Sequence, residues 1–415
     1  MTVPASRGSP RFRFVVLAII SVATASASPY ALAQNKYGSG VSDTEIKIGQ
    51  TMPYSGPLST AGTIGRTELA YFEMLNEHGG VNGRKITLIS LDDGYNPAKT
   101  VEQVRKLVEG EHVLAIFNGV GTPTNAAIQR YLNDRKVPQL FPQTGGSRFA
   151  DPEHFPWTVA IAPGYRDEGR IYGQYLLSVR PNAKAGVLHQ DDDFGNDFFT
   201  GFKEGLGEHS SVKIVRDLTY AATDPTVDSQ IVSLQSSAAD AFLDATIAKF
   251  GAQAIRKAYD IGWRPLYFIS NIATSIPAVL KPAGLEKSIG LISALYYKVP
   301  GDPQWSDDPE YHAYLAFMKK YYPAGDPDDG TNVVGYAWAH ALEYVLRNCG
   351  DNLSRENVMF QATHLQSVRV PMLLPGITLN TSPTDYRAVK QFILHRFDGK
   401  QWVPITGVMQ VSASQ

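Results

Sequence analysis

Glu45-Ile46-Lys47-Ile48-Gly49-Gln50-Thr51-Met52 alternates apolar and polar residues, with Ile46, Ile48 and Met52 on one side, and runs into the turn Tyr54-Ser55-Gly56-Pro57. That is a strand delivered into a turn, and a helix follows it. Over 64–77 the apolar residues Ile64, Leu69, Phe72 and Leu75 recur near a period of 3.6, and His78-Gly79-Gly80 stops the pattern. Asn82-Gly83 turns the chain into a second strand over 85–91. Pro97 opens a second helix with Val101, Val104 and Val108 as its stripe. A third strand (113–117), a third helix (124–133) and a fourth strand (138–141) continue the series. Strand and helix in strict alternation predict right-handed crossovers and a parallel sheet covered on both faces.

The pattern then restarts. Strands are expected at 157–160, 183–188, 212–218, 241–243 and 266–269, with helices at 166–177, 194–206, 225–236 and 248–261 between them. After a strand at 290–294 the chain becomes helix-rich, over 309–321, 331–348 and 354–364. Segments 391–397 and 401–404 around Asp398-Gly399 form a closing hairpin. The expected fold class is α/β with two doubly wound parallel sheets. No low-complexity linker or short repeat interrupts the chain, so ordinary strands must cross between its halves.

Upstream, Arg7, Arg11 and Arg13 precede an apolar run over 14–25 that is too short to span a bilayer, and Ala31-Leu32-Ala33 supplies a cleavage site. A signal peptide over 1–33 and a mature start at Gln34 are expected. No cysteine follows the run to take a lipid. The leader holds three of the 38 basic residues and none of the 40 acidic ones, so the remainder is acidic. Nothing in that balance favours electrostatic capture of nucleic acid or an anionic membrane surface. Cys349 is the one cysteine; no internal disulfide can form, and the thiol reads as buried and inert. Hydrophobic content of 43% with 19% charged residues describes a globular chain.

Catalytic signatures are missing. There is no G-x-S-x-G elbow, no phosphate loop and no H-E-x-x-H, and the nine histidines form no ligand pair on an expected helix. Asp191-Asp192-Asp193 suggests calcium, but Gly195 and Asn196 stand at the wrong offsets, so a solvated loop is expected and no metal. No cofactor is implied either. Two loops at strand carboxyl ends look chemically useful. In 118–124, Gly119 and Gly121 let backbone approach a ligand, Thr122 suits an N-cap, Pro123 suits the first helical turn and Thr124 adds a hydroxyl. The loop 142–147 again joins hydroxyls (Thr144, Ser147) to glycine backbone (Gly145, Gly146). Converging, they would seat a carboxylate, although ordinary capping and turn formation account for each loop singly.

Ser55-Gly56-Pro57, the run 79–84, Asp92-Asp93 before Pro97, and 189–195 together resemble the branched-chain amino-acid type of periplasmic substrate-binding proteins, from about Asp43 to the final hairpin. The resemblance implies a type I periplasmic-binding-protein fold: two lobes joined by three crossing segments, closing over a small molecule and delivering it to an inner-membrane ABC permease. It implies lobe 1 from 44–159 plus 298–378 and lobe 2 from 160–297 plus 379–415. The family's first-lobe carboxylate site falls on Gly121 and Thr122, and on Thr144 and Gly145. In lobe 2 its ligand-packing tyrosine falls on Phe194, another aromatic position on Ile247, and its ammonium-holding acid on Asn271. One position of the family's disulfide falls near Tyr95, so that brace is missing.

Asn271 is the consequential departure. A buried ammonium without a counter-charge costs several kcal/mol, so the expected ligand is a carboxylate or amide with an apolar or aromatic body, suited to Phe194 and Ile247, with Tyr165 as a further aromatic wall. The protein is expected to be a periplasmic monomer and not an enzyme. A ligand-sensing module of the same fold is the alternative; it would carry a DNA-binding helix pair or a membrane span, and none is legible before Gln415. An exported hydrolase would need a nucleophile, base and orienting partner, and the sequence assembles none.

Overall fold

The computed structural model describes Gly8, Ser9 and residues 36–410. The rest of the expected leader, its cleavage site and the last five residues lie outside the described residues. From the start, the chain runs through β1 (Lys36–Tyr37), β2 (Glu45–Met52), α1 (Gly62–Glu77), β3 (Lys85–Asp92), α2 (Pro97–Arg105), β4 (Ala115–Phe117), α3 (Thr122–Asp134), β5 (Gln139–Leu140) and β6 (Thr158–Val159). It continues through α4 (Tyr165–Val179), β7 (Lys184–Gln190), α5 (Asp193–Leu206), β8 (Lys213–Tyr220), α6 (Asp228–Ser236), β9 (Ala241–Ala245), α7 (Ala248–Asp260) and β10 (Leu266–Ile269). Then come the single turn α8 (Lys281–Ala283), β11 (Ile292–Leu295), α9 (Pro309–Tyr321), α10 (Gly330–Asn348), β12 (Asn352–Leu353), α11 (Arg355–Ala362), β13 (Gln391–Phe397), β14 (Trp402–Pro404) and β15 (Met409–Gln410).

One sheet has the order β3-β2-β4-β5-β6, all parallel. The other runs β14-β13-β11-β10-β9-β7-β8, parallel from β11 to β8 and antiparallel where β13 joins, with β15 also on β13. β9 is buried at every residue, as expected of a strand covered on both faces. The molecule is thus two doubly wound lobes joined by three crossing segments. At the crossings the Ala388 N–H donates to the Ala160 carbonyl, Lys298 N–H to Met372, and Leu374 N–H to Tyr296.

Three details differ from the sequence reading. The strand near 157–160 pairs with β5 and closes the first sheet instead of opening the second. Leu69, expected in the core, is 40% exposed. α1 is covered on two sides, by the sheet and by α10, so its buried face is shifted to Thr67, Glu68, Tyr71, Phe72 and Leu75. Thr67 Oγ1 reaches Asn332 Oδ1 of α10 at 2.9 Å. Finally, the cap of α3 is Gly121, not Thr122, which is already helical.

Candidate functional site

In each lobe the strand order reverses beside one central strand. The reversal lies between β3 and β4, on either side of β2, in the first sheet, and between β8 and β9, on either side of β7, in the second. At such switch points the loops leaving the carboxyl ends of adjacent strands diverge and leave a crevice. Both crevices open on one cavity of about 80 Å³. Leu58, Thr60, Ala61 and Ile64, which follow β2, and Val120, Gly121 and Thr122, which follow β4, form its first-lobe wall. Phe194 after β7, Ile247 and Ala248 after β9, and Asn271, Ile272, Thr274 and Ser275 after β10 face them. Among the described residues, no Asp, Glu, Lys, Arg or His lines the cavity.

The first-lobe wall is built by two bridged loops, since Val120 and Gln143 pair in parallel. Gly121 has φ of 107°, open to glycine, and a Cβ there would strike the Tyr95 ring. No side chain caps α3, so its first N–H groups keep their partial positive charge toward the cavity. Thr122 and Thr144 are brought together, Oγ1 to Oγ1 at 2.7 Å. Thr122 lines the cavity; Thr144 and Gly145 do not. Tyr165 stands between that loop and the cavity, its N–H donating to the Gly145 carbonyl at 2.8 Å. Burial pushes the Tyr165 hydroxyl up to about 12, opposed by hydrogen bonds from the Gly145 backbone and Thr144. Thr124, offered as a ligand hydroxyl, instead donates back to the Val120 carbonyl at 2.7 Å, and so serves the helix.

On the second-lobe wall, Tyr165 and Phe194 meet edge to face at 4.8 Å. Asp192 caps α5, accepting from the N–H groups of Phe194 and Gly195, and Asp193 pairs with Arg148 at 2.8 Å. Asp192 and Asp193 are therefore spent on a helix cap and an ion pair. Ile247 is buried, and its N–H donates to the Tyr220 hydroxyl at 3.0 Å. Asn271 lines the cavity, but an acid does stand behind it. Glu168 Oε1 accepts from the Asn271 N–H at 2.8 Å, and Oε2 accepts from Asn271 Nδ2 at 2.5 Å. Glu168 is wholly buried, and desolvation lifts its carboxyl to about 8.

Sequence reasoning missed Glu168, Gln143 and Tyr95. Glu168 had a signal, because Tyr165, Glu168 and Tyr172 recur at three- and four-residue spacing on the buried face of α4, and a carboxylate there demands partners. Gln143 lines the cavity and is oriented by Trp338, whose Nε1 donates to Oε1 at 2.8 Å. Tyr95 lines it from a left-handed backbone with φ of 58°; nothing local announced that. Cys349 is buried and its thiol is pushed up to about 12, consistent with an inert core group.

With this geometry in view, likeness to known proteins is informative. Residues 45–401 match the family described as periplasmic binding protein. Leu/Ile/Val-binding protein homolog 7 of Brucella abortus is 22% identical over 237 residues, or 55% of this chain and 59% of that protein. The aligned part thus spans less than two thirds of that relative. The fatty acid ABC transporter substrate-binding protein from Thermomonospora curvata superposes with a TM-score of 0.77 at 23% identity, covering 91% of this chain and 95% of the other. A branched chain amino acid ABC transporter structure from Thermus thermophilus with bound valine gives 0.79 at 15% identity, over 90% and 98%. These two establish a shared fold. The chain belongs to the periplasmic binding protein family.

Proposed function

We propose that the protein captures a small carboxylate, or a neutral amide of similar shape, with an apolar or aromatic body, and delivers it to an ABC-type importer in the inner membrane. The family implies a periplasmic setting, and its members here are binding proteins rather than enzymes. Among the described residues no helix is long and apolar enough to cross a membrane.

One observation carries the reading: a cavity fed by both switch points has no charged lining, an uncapped helix N-terminus on one side and apolar groups around it. A carboxylate there gains from the α3 dipole and the Thr122 hydroxyl. An ammonium would find no carboxylate on the wall. Leu58, Ile64, Phe194, Ile247 and Val279 would enclose the body. That one structural relative is a fatty-acid binder supports an acid with a tail; that another holds valine makes amino acids the class to test against.

A thermal-shift screen of aliphatic acids, aromatic acids, amides and amino acids decides the matter. A ligand at a hundred times its Kd adds about 2.7 kcal/mol, so acids or amides should give the largest shifts. Leucine, isoleucine or valine leading the screen would overturn the reading. The transport role predicts that deleting the gene slows uptake of the best ligand and that the wild-type chain restores it.

A further inference from the structure

We propose that Glu168 is a positioning residue which holds Asn271 with its carbonyl turned to the cavity, so that the ligand carries a neutral hydrogen-bond donor, a hydroxyl or amide N–H, on its body. This rests on the carboxylate reading above and adds to it the second polar group the ligand must have.

The argument is one of hydrogen-bond accounting. Asn271 Nδ2 donates to Glu168 Oε2 at 2.5 Å, and Asn271 Oδ1 has no hydrogen-bond partner among the described residues. Since Asn271 lines the cavity, that carbonyl is the group it offers. The orientation holds when Glu168 is ionised and when it carries its proton on Oε1, beside Tyr172. Tyr172 Oη lies 2.5 Å from Glu168 Oε1, accepts from the Ala294 N–H at 2.9 Å and lies 2.9 Å from the Ile269 carbonyl. When Glu168 is charged, Tyr172 donates to it. When Glu168 carries its proton on Oε1, that hydroxyl donates to Tyr172, and Tyr172 donates to the Ile269 carbonyl. In both states Oε2 remains an acceptor, and only Nδ2 can meet it. An asparagine held this way cannot swing to present its amine, and a buried acceptor left without a donor costs affinity. A ligand ammonium could also donate, but among the described residues no carboxylate lines the cavity to meet its charge, so a neutral donor is favoured.

Calorimetry at pH 7 with benzoate, its three hydroxy isomers and the matching methoxy acids tests this. At least one hydroxy isomer should bind ten-fold or more tighter than benzoate. Asn271→Leu should erase that preference, leaving the hydroxy acids no tighter than the matching methoxy acids. Glu168→Gln places an amine opposite Asn271, turns its side chain over, and should shift the hydroxy-to-methoxy preference toward methoxy by ten-fold or more, which loss of packing alone would not do. If Glu168→Gln does not fold, the comparison of wild type with Asn271→Leu decides. Benzoates that bind with no hydroxy preference, or a folded Glu168→Gln with an unchanged ratio, overturn the inference alone. No binding by any acid, with amino acids binding instead, overturns the carboxylate reading and this inference with it.

Discussion

The single carboxyl of Glu168 ties site chemistry to stability. Its value in the folded protein, about 8, exceeds that of an ordinary glutamate because burial penalises the charge. Between roughly pH 4.5 and 8 the native state keeps a proton that the unfolded chain has released, so Glu168 subtracts stability as pH rises through that window. Asp244, lifted to about 7 by burial, acts in the same direction at lower pH. Glu168→Gln removes only the first contribution. Its stability relative to wild type should therefore improve by more than about 1 kcal/mol between pH 5 and pH 8 in urea denaturation, since a tenfold change in proton affinity is worth about 1.4 kcal/mol. A constant difference would contradict the assignment. Gly121 is the other residue on which the site turns. Gly121→Ala meets both an unfavourable φ and the Tyr95 ring, and should weaken acid binding at least ten-fold while far-UV circular dichroism stays unchanged.

At the scale of elements, α4 and α5 cross unusually closely because each carries two glycines four residues apart on the facing side. A Cβ at Gly169 or Gly173 would strike the carbonyls of Phe198 or Phe202, and one at Gly201 or Gly205 those of Arg166 or Arg170. The contact positions Tyr165 and Phe194, which lie in the first turns of the two helices and meet at the cavity. Gly201→Ala should cost about 2–3 kcal/mol by overpacking. Gly110→Ala, where a Cβ meets nothing within 4 Å, should cost little. Equal effects at the two sites would show that the crossing is not tight. The pattern was present in the sequence as Gly169, Gly173, Gly201 and Gly205, but it is legible only once the two helices are known to touch. Local periodicity located α9 and β13 to the residue; it misplaced the cap of α3, because Thr122 and Gly121 are both acceptable caps and the positive φ of Gly121, with the Tyr95 ring against it, shows only in the folded chain.

For the whole molecule, the lobes meet through a few polar links around the cavity. The Ser147 N–H and hydroxyl donate to Asp197 at 2.6 and 2.9 Å, Arg148 pairs with Asp193, and the Ser275 hydroxyl donates to Asp329 at 2.9 Å. These bonds exist only when the lobes are together, so they favour the closed state without holding either core. Asp197→Ala should lower affinity for the best acid about ten-fold, through two lost hydrogen bonds to a charge. It should leave the unfolding of the empty protein within about 0.5 kcal/mol and enlarge the radius of gyration of the ligand-free form in X-ray scattering. Unchanged affinity would mean that these links do not bias closure. The alternation of periods two and 3.6 determined, from the sequence alone, that this protein is a pair of doubly wound sheets with loops at their carboxyl ends, because burial periodicity is a local property. Which strand closes which sheet, that Tyr165 rather than Thr144 reaches the cavity, and that an acid stands behind Asn271 were decided only by tertiary structure, since such contacts join residues as far as 103 positions apart and depend on how two lobes meet.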